Sequence, residues 1–399
     1  MADHVFEQST MCVHRAGAST EGFQSFSTPV YRASTIVFPN AQSYRDRSLR
    51  FPDGYSYGLM GTPTTRSLEE QLTRLAGGVR SVLVPSGQAA VSALMLTLLS
   101  QGDHVLIPDN VYPPVKQFSK EVLQRYGVAV DIYDPMNLQS LRSSIRVGRT
   151  KLIWIEAPGS TTMEVCDTRA IVSIAKENGV LTGCDNTWAT SLFCKPISLG
   201  VDVVAEALTK YVGGHSDLLL GALSFASMDL YLQVREQLAN LGVGVSPDDC
   251  SLALRGIETM SLRLAHVGST ALAFAQRLKD RPGIARVIHP ALPESPGHEF
   301  WKRDFHGSTG VFSVQLQVHD TALVDRALGR LELFAIGASW GGTRSLVAPM
   351  SLDGQRSFGT SGSTSMYLRF SVGLESPLDL WRDIELMLSA FEFKWPDRR

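Results

Sequence analysis

Between about residues 61 and 241 the chain keeps returning to one pattern: a short apolar run, a turn, an amphipathic stretch, then another apolar run. SVLVPSG, HVLIPD, VAVDIYDP, KLIWIEAP, VLTGCDNT and DVVAEALT are apolar on both faces. A strand with no polar face must be covered from both sides, which is the condition of parallel strands joined by crossover helices. Intervening segments such as TRAIVSIAKENG carry the helical period that crossovers need. The pattern predicts a three-layer α/β domain whose ligands bind beyond the carboxyl ends of its strands.

The flanks read differently. Residues 1–60 are polar and rich in Ser, Thr, Pro and Arg, which predicts an extended arm that is either disordered or lies against something else, such as another subunit. Thr62 as N-cap, Pro63 at the first helical position and the Gly77–Gly78 stop bound a helix whose Leu68, Leu72 and Leu75 share a face. From Ser246 a long helical stretch follows, with a break or bend expected. VFSVQLQV, LFAIGAS, MYLRFSVGL and a last helix opened by Ser376 and Pro377 complete a smaller α+β domain. The expected division is 1–60 arm, 61–245 α/β domain and 246–399 C-terminal α+β domain.

Charge and composition exclude several functions. With 19% charged residues, a formal net charge of -2 and no Lys/Arg-rich run, nothing argues for nucleic acid or an anionic membrane. The amino-terminal stretch lacks the apolar core of a signal peptide, and no stretch approaches the ~20 apolar residues of a membrane span, so a cytoplasmic enzyme is expected. Cys12, Cys166, Cys184, Cys194 and Cys250 form no C-x-x-C pair and predict isolated buried thiols. His289, His298 and His306 lack metal-ligand spacing and no H-E-x-x-H occurs, so no metal site is expected.

The chemistry gathers at strand ends. In AEALTKYVGGHSDLLLGAL, Lys210 stands at the mouth of an apolar run. It reads either as a surface lysine ending a strand or as an amine whose charge is disfavoured by lost hydration, a nucleophile. The PSGQAA turn can aim the amides of Gly87 and Gln88 at an anion, or simply join strand to helix. Neither G-x-x-x-x-G-K-[ST] nor G-x-G-x-x-G is present. Asp185 ends a strand, as a turn cap or as an anionic partner; Tyr112 follows another strand end, as a half-buried helix start or as a flat neighbour. His215, in the glycine-rich turn after Lys210, reads as structural, and Cys184 and Cys194 as core. An amine, an anion, a flat aromatic and an anion cradle together match pyridoxal phosphate, with the Thr209 hydroxyl assisting at the phosphate.

The chain also resembles the Cys/Met-metabolism family of pyridoxal-phosphate enzymes, and within it the bacterial cystathionine β-lyases. YGLMGTPTTRSLEEQLTRLAGG, EAPGSTTMEVCD, DNTWAT, ALTKYVGGHSD, SWGGTRSL and YLRFSVGLE carry the likeness, which runs from about Thr28 to the last helix. The resemblance implies a fold-type I enzyme in which Lys210 bonds the cofactor aldehyde, Asp185 holds the pyridine nitrogen and Tyr112 stacks on the ring. It implies Gly87, Gln88 and Thr209 at the phosphate, Arg369 on the substrate α-carboxylate and Ser339 and Trp340 beside it. Tyr57 would enter a neighbouring subunit's site, in a homo-oligomer expected to be a homotetramer.

The implied reaction is α,β-elimination from L-cystathionine or a related cysteine S-conjugate, giving a thiol, pyruvate and ammonia. The Glu156–Ser160 segment resembles the β-acting form; γ-lyases and γ-synthases of the family, or a divergent secondary-metabolism C–S lyase, are the alternatives. A nicotinamide oxidoreductase lacks its fingerprint here, and a protein that had lost catalysis would have no need of Lys210, Asp185, Tyr112 and Arg369 together. Leu59 departs from the family's Tyr-x-Arg, and Ala338 precedes Ser339. Leu59 predicts weaker cofactor binding unless a cation such as Arg66 substitutes; an unchanged cofactor Kd in Leu59→Arg would dismiss the missing contact.

Overall fold

The computed structural model describes residues 6–14, 25–358 and 366–391. The six apolar runs form β1 (Arg80–Val84), β2 (His104–Pro108), β3 (Ala129–Tyr133), β4 (Thr150–Glu156), β5 (Leu181–Asp185) and β6 (Val203–Glu206). A seventh strand, β7 (Gly221–Phe225), joins them in a sheet of order β1-β7-β6-β5-β4-β2-β3. β3, β2, β4, β5 and β6 are parallel, as their two-sided apolar character requires.

β7 is the correction to an all-parallel reading. It runs antiparallel to both β6 and β1. The link from β6 to β7 is made of turns and holds no crossover helix, so the chain re-enters the sheet in the opposite sense. Every residue of β7 is buried, and its sequence pattern cannot reveal that direction.

The helix Pro63–Ala76 starts as expected. The Thr62 and Thr65 hydroxyls each accept the other's backbone N–H, and the left-handed Gly77 ends the helix at φ 71°. Upstream of it, the segment expected to be wholly extended contains a short helix, Gln8–Val13, that buries Met11 and Cys12 against the chain's own helices. Gln71 Nε2 donates to the Met11 carbonyl there.

The second sheet holds β8 (Ile284–Ile288), β9 (Val311–Leu316), β10 (Ala335–Ile336), β11 (Leu346–Ser351) and β12 (Met366–Ser371), in the order β10-β11-β12-β9-β8. β8 and β11 fall in stretches too mixed in polarity to read as strands, and LFAIGAS contributes only two residues.

The long helix, Pro247–Leu278, is one continuous element of 32 residues, without the expected break. Its internal glycines are contact points. A Cβ at Gly256 would lie 2.2 Å from the Val212 carbonyl oxygen, and one at Gly268 would lie 2.1 Å from that of Ser308. The helix thus presses on the chain immediately after Lys210. All five cysteines are free and buried, and among the described residues no helix is long and apolar enough to cross a membrane.

Candidate active site

A cleft of about 1100 Å³, its open mouth included, lies at the carboxyl ends of the parallel strands. The strand ends supply Glu156, Asp185 and, just past β6, Ala207, Thr209 and Lys210; the small-sheet side supplies Ala338, Trp340 and Arg369. Open parallel sheets place ligands at such ends because there the loops diverge and leave a crevice.

Lys210 lies within this cleft. Its Nζ donates to Ser339 Oγ at 2.7 Å and stands 5.2 Å from the Trp340 ring centroid. Trp340 is in turn braced by the Tyr211 ring, 5.4 Å away. Burial lowers the Lys210 pKa to about 8, the Arg369 charge pushes the same way, and Asp185 opposes both. The surface-lysine reading is thereby set aside.

Asp185 ends β5 beside Glu156 at the end of β4. Burial raises the Asp185 pKa, while the Thr187 hydrogen bonds and then Lys210 act to lower it; the Thr187 N–H donates to Oδ1 at 2.8 Å. Glu156 is pushed well above the usual carboxylate range by burial first and by Asp185 second. Glu206, ending β6, is raised by burial to about 8. Glu156 and Asp185, at adjacent strand ends on the cleft, cannot both be charged in one desolvated site, and Asp185 is the one aided by a lysine.

The helix Gly87–Leu98 opens on the cleft. Ser86 caps it by accepting the Ala89 N–H at 3.0 Å, which leaves the first-turn amides of Gly87 and Gln88 without helical partners. Gly87 is required by space: a Cβ there would lie 2.5 Å from the Ala207 Cβ. Gln88 Oε1 is buried without a partner, a polar atom that an incoming group could satisfy. Thr209 lines the cleft, but its hydroxyl donates to the Leu220 carbonyl at 3.1 Å and accepts the Leu220 N–H at 3.0 Å.

Tyr112 precedes the helix Pro113–Phe118 as its N-cap, lines the cleft and is 45% exposed. Its backbone N–H donates to Glu156 Oε2 at 2.8 Å, so Glu156 anchors the turn that presents the ring. Sequence reasoning missed that function of Glu156, although its place at a strand end beside Asp185 was a usable signal. Arg369, on β12, is only 8% exposed and donates from Nη2 to the Ala338 carbonyl at 2.6 Å. Burial lowers its pKa.

A clamp at the rim was also missed. Asp109, fully buried after β2, accepts Lys116 Nζ at 2.9 Å, Arg356 Nε at 3.0 Å and the backbone N–H groups of Ser357 and Phe358. Arg356 also reaches Thr162 Oγ1 at 2.8 Å and Glu164 Oε1 at 2.7 Å. Residues 355–358 come from beyond β11, so sequence distance hid the connection.

Other candidates lie apart. Tyr57, 53% exposed, does not line the cleft of its own chain. Leu59 sits in a separate hollow with Glu69 and Arg235. The Arg66 guanidinium holds Glu69 at 2.8 Å and the carbonyls of Pro52 and Met60, while its Nε is buried without a partner. His215 Nδ1 is 2.8 Å from the Gly213 carbonyl oxygen, the structural use expected of it. His289 is buried, which lowers its pKa to about 4. An amine, a carboxyl group, an aromatic face and a glycine-cleared helix start share one cleft with an arginine, a donor set that fits pyridoxal phosphate.

Comparison with known proteins agrees. The family model described as Cys/Met metabolism PLP-dependent enzyme matches residues 9–389. The "Cystathionine beta-lyase" of Bordetella avium is 39% identical over 91% of this chain and 92% of its own. The "L-alanine/L-glutamate racemase" of Wolbachia pipientis wMel is 38% identical over 92% of this chain and 93% of its own. The crystal structure of metB from Corynebacterium glutamicum superposes with a TM-score of 0.88 at 25% identity, covering 96% of this chain and 98% of that one.

Proposed function

Because this chain belongs to the Cys/Met-metabolism family of pyridoxal-phosphate-dependent enzymes, we propose that it is a carbon–sulfur β-lyase that cleaves L-cystathionine or a related cysteine S-conjugate. The observation that carries the reading is the Lys210 amine, with a lowered pKa, sharing one cleft with Asp185 and Arg369. Lys210 would hold the cofactor aldehyde, Asp185 the pyridine nitrogen, Tyr112 the ring face, and Gly87, Gln88 and Thr209 the phosphate. Thr209 must turn its hydroxyl from Leu220 to do so.

Pyridoxal phosphate, held by these residues, would supply an electron sink for the pair released at the substrate Cα. The protein's own groups then control protons and position. Arg369 grips the α-carboxylate, with Ser339 and Trp340 flanking it. The Lys210 amine takes the Cα proton; a group with a pKa of about 8 is neutral often enough to act as a base near neutral pH. The same amine returns a proton as the thiolate leaves Cβ. Ser339, bonded to Nζ, fixes where that amine waits.

The assembly proposed is a homo-oligomer, a homotetramer in the cytoplasm, in which the amino-terminal arm brings Tyr57 to a neighbouring subunit's cleft. The arm, the α/β domain over 61–245 and the C-terminal domain over 246–399 are the corresponding units. The test is the oxo-acid released when the holoenzyme meets L-cystathionine or S-benzyl-L-cysteine. Pyruvate with the matching thiol is expected. 2-Oxobutyrate with cysteine from cystathionine would instead establish γ-elimination and overturn the β-acting reading of the Glu156 segment.

A further inference from the structure

Two turns of the large domain line the cleft side by side, and both are held from behind. Residues 109–112 present Tyr112, and residues 159–164 put Ser160, Thr161 and Met163 on the cleft. The Ser160 N–H joins them by donating to the Asn110 carbonyl at 2.9 Å, and a Cβ on Gly159 would lie 2.1 Å from Asn110 Nδ2. The second turn is strained. Thr161 and Met163 hold φ of 66° and 52°, a left-handed backbone that costs a residue with a side chain free energy and persists only where its surroundings enforce it.

Arg356 supplies that enforcement. Its Nη1 donates at 2.8 Å to Oγ1 of Thr162, between the two left-handed residues, and its Nη2 donates at 2.7 Å to Glu164 Oε1. Its Nε donates at 3.0 Å to Asp109 in the first turn. One planar guanidinium therefore ties both turns, with a rigid fork of donors that a lysine ammonium does not offer. Every partner comes from the same chain, and Asp109, Asn110 and Glu164 are buried. Residues 355–358 follow β11, which pairs with β12 so that Ala348 stands opposite Arg369. Neither Arg356 nor Asp109 lines the cleft, so the clamp acts on it through the backbone.

We propose that Arg356 is a positioning residue for amino-acid binding: it holds the Tyr112 turn and the strained 159–164 turn at a set distance from the sheet that carries Arg369. Without the guanidinium, Lys116 and two backbone N–H groups still hold Asp109, and the protein is expected to fold. The 159–164 turn is then free to relax. A ligand gripped by Arg369 has to order the facing wall itself, and its affinity falls by that cost. This inference rests on the reading that the cleft takes an amino acid with its α-carboxylate on Arg369, and is independent of which substrate bond breaks.

The test uses holoenzyme and glycine, which has no Cβ substituent to eliminate, and reads the glycine Kd from the absorbance of the bound cofactor. Hydrogen exchange of the same proteins without glycine reads the two turns directly. Arg356→Met is expected to weaken glycine binding by about tenfold and to speed exchange in both 109–112 and 159–164. The pyridoxal phosphate Kd, set largely by Lys210 and the helix start at Gly87, should change much less. Arg356→Lys keeps a positive charge beside Asp109 without the fork, and is expected to restore part of the denaturant midpoint but not the glycine affinity; full recovery of that affinity overturns the role of the fork. An unchanged glycine Kd in Arg356→Met overturns the inference even where stability falls. So does exchange that quickens only at 355–358, or an equal loss of glycine and cofactor affinity, which would report general loosening. If Arg356→Met does not fold, Arg356→Lys decides by the same readings. Arg369→Leu tests the reading beneath: an unchanged glycine Kd there removes the carboxylate contact, and exchange of the two turns in Arg356→Met then decides whether the clamp holds the wall.

Discussion

Lys210 should capture pyridoxal phosphate with a pH dependence that no surface lysine shows. Burial and Arg369 bring its pKa from 10.5 to about 8. At pH 7 about one such amine in eleven is neutral, against roughly four in ten thousand for an ordinary lysine, so the reactive form is enriched roughly two-hundred-fold. The assay mixes cofactor-free protein with pyridoxal phosphate, traps the product with borohydride at set times and locates the adduct by mass. The rate of labelling at Lys210 should rise with pH to a midpoint near 8 and then level. Arg369→Leu removes the neighbouring positive charge, so the midpoint should move upward. Stability carries the same signature. The unfolded lysine keeps its proton to about pH 10.4, whereas the folded one loses it near 8, so this group makes stability rise with pH between those values. Lys210→Met should abolish that rise. A labelling midpoint near 10.5 in the wild-type protein would refute the argument, because it would show that the amine remains hydrated.

The other predictions concern the frame. Arg356→Met should destabilise the protein by about 2 kcal/mol, since it removes one of the two cations on the buried Asp109 carboxylate and the one on Glu164, while Lys116 and two backbone N–H groups still hold Asp109. Adding Asp109→Asn should cost less than the sum of the two single changes, and strict additivity in denaturant midpoints would show that the clamp is not an interacting unit. Gly256→Ala ordinarily favours a helix by about 1 kcal/mol. Here the new Cβ would lie 2.2 Å from the Val212 carbonyl oxygen, so the denaturant midpoint should fall; a rise would mean that the helix can move off the segment after Lys210.

Much of the large sheet was legible because its strands are apolar on both faces, and each of the six runs proved to be a strand. The helix Pro63–Ala76 was legible down to its cap, since Thr62, Pro63 and Gly77 act locally. Gly256 misled in the other direction. A glycine inside a helix reads as weakness, whereas here it marks the close approach of another segment, which only tertiary packing creates. The strand-end residues Lys210, Asp185 and Tyr112 were readable for the same reason as their strands, and they do meet in one cleft. The Asp109–Arg356 clamp was not, because its partners are distant in sequence and each alone is an unremarkable surface-type charge.

What the sequence by itself determined is the layered α/β scheme, the ends of its capped helix and the residue types offered at the strand ends. These follow from side-chain period and from local backbone preference, which act over a few residues. The direction of β7, the Asp109–Arg356 clamp and the burial that, with Arg369, lowers the Lys210 pKa were decided only by the tertiary structure. Pairing direction, desolvation and charge coupling depend on which atoms lie within a few ångströms, and segments remote along the chain supply those atoms.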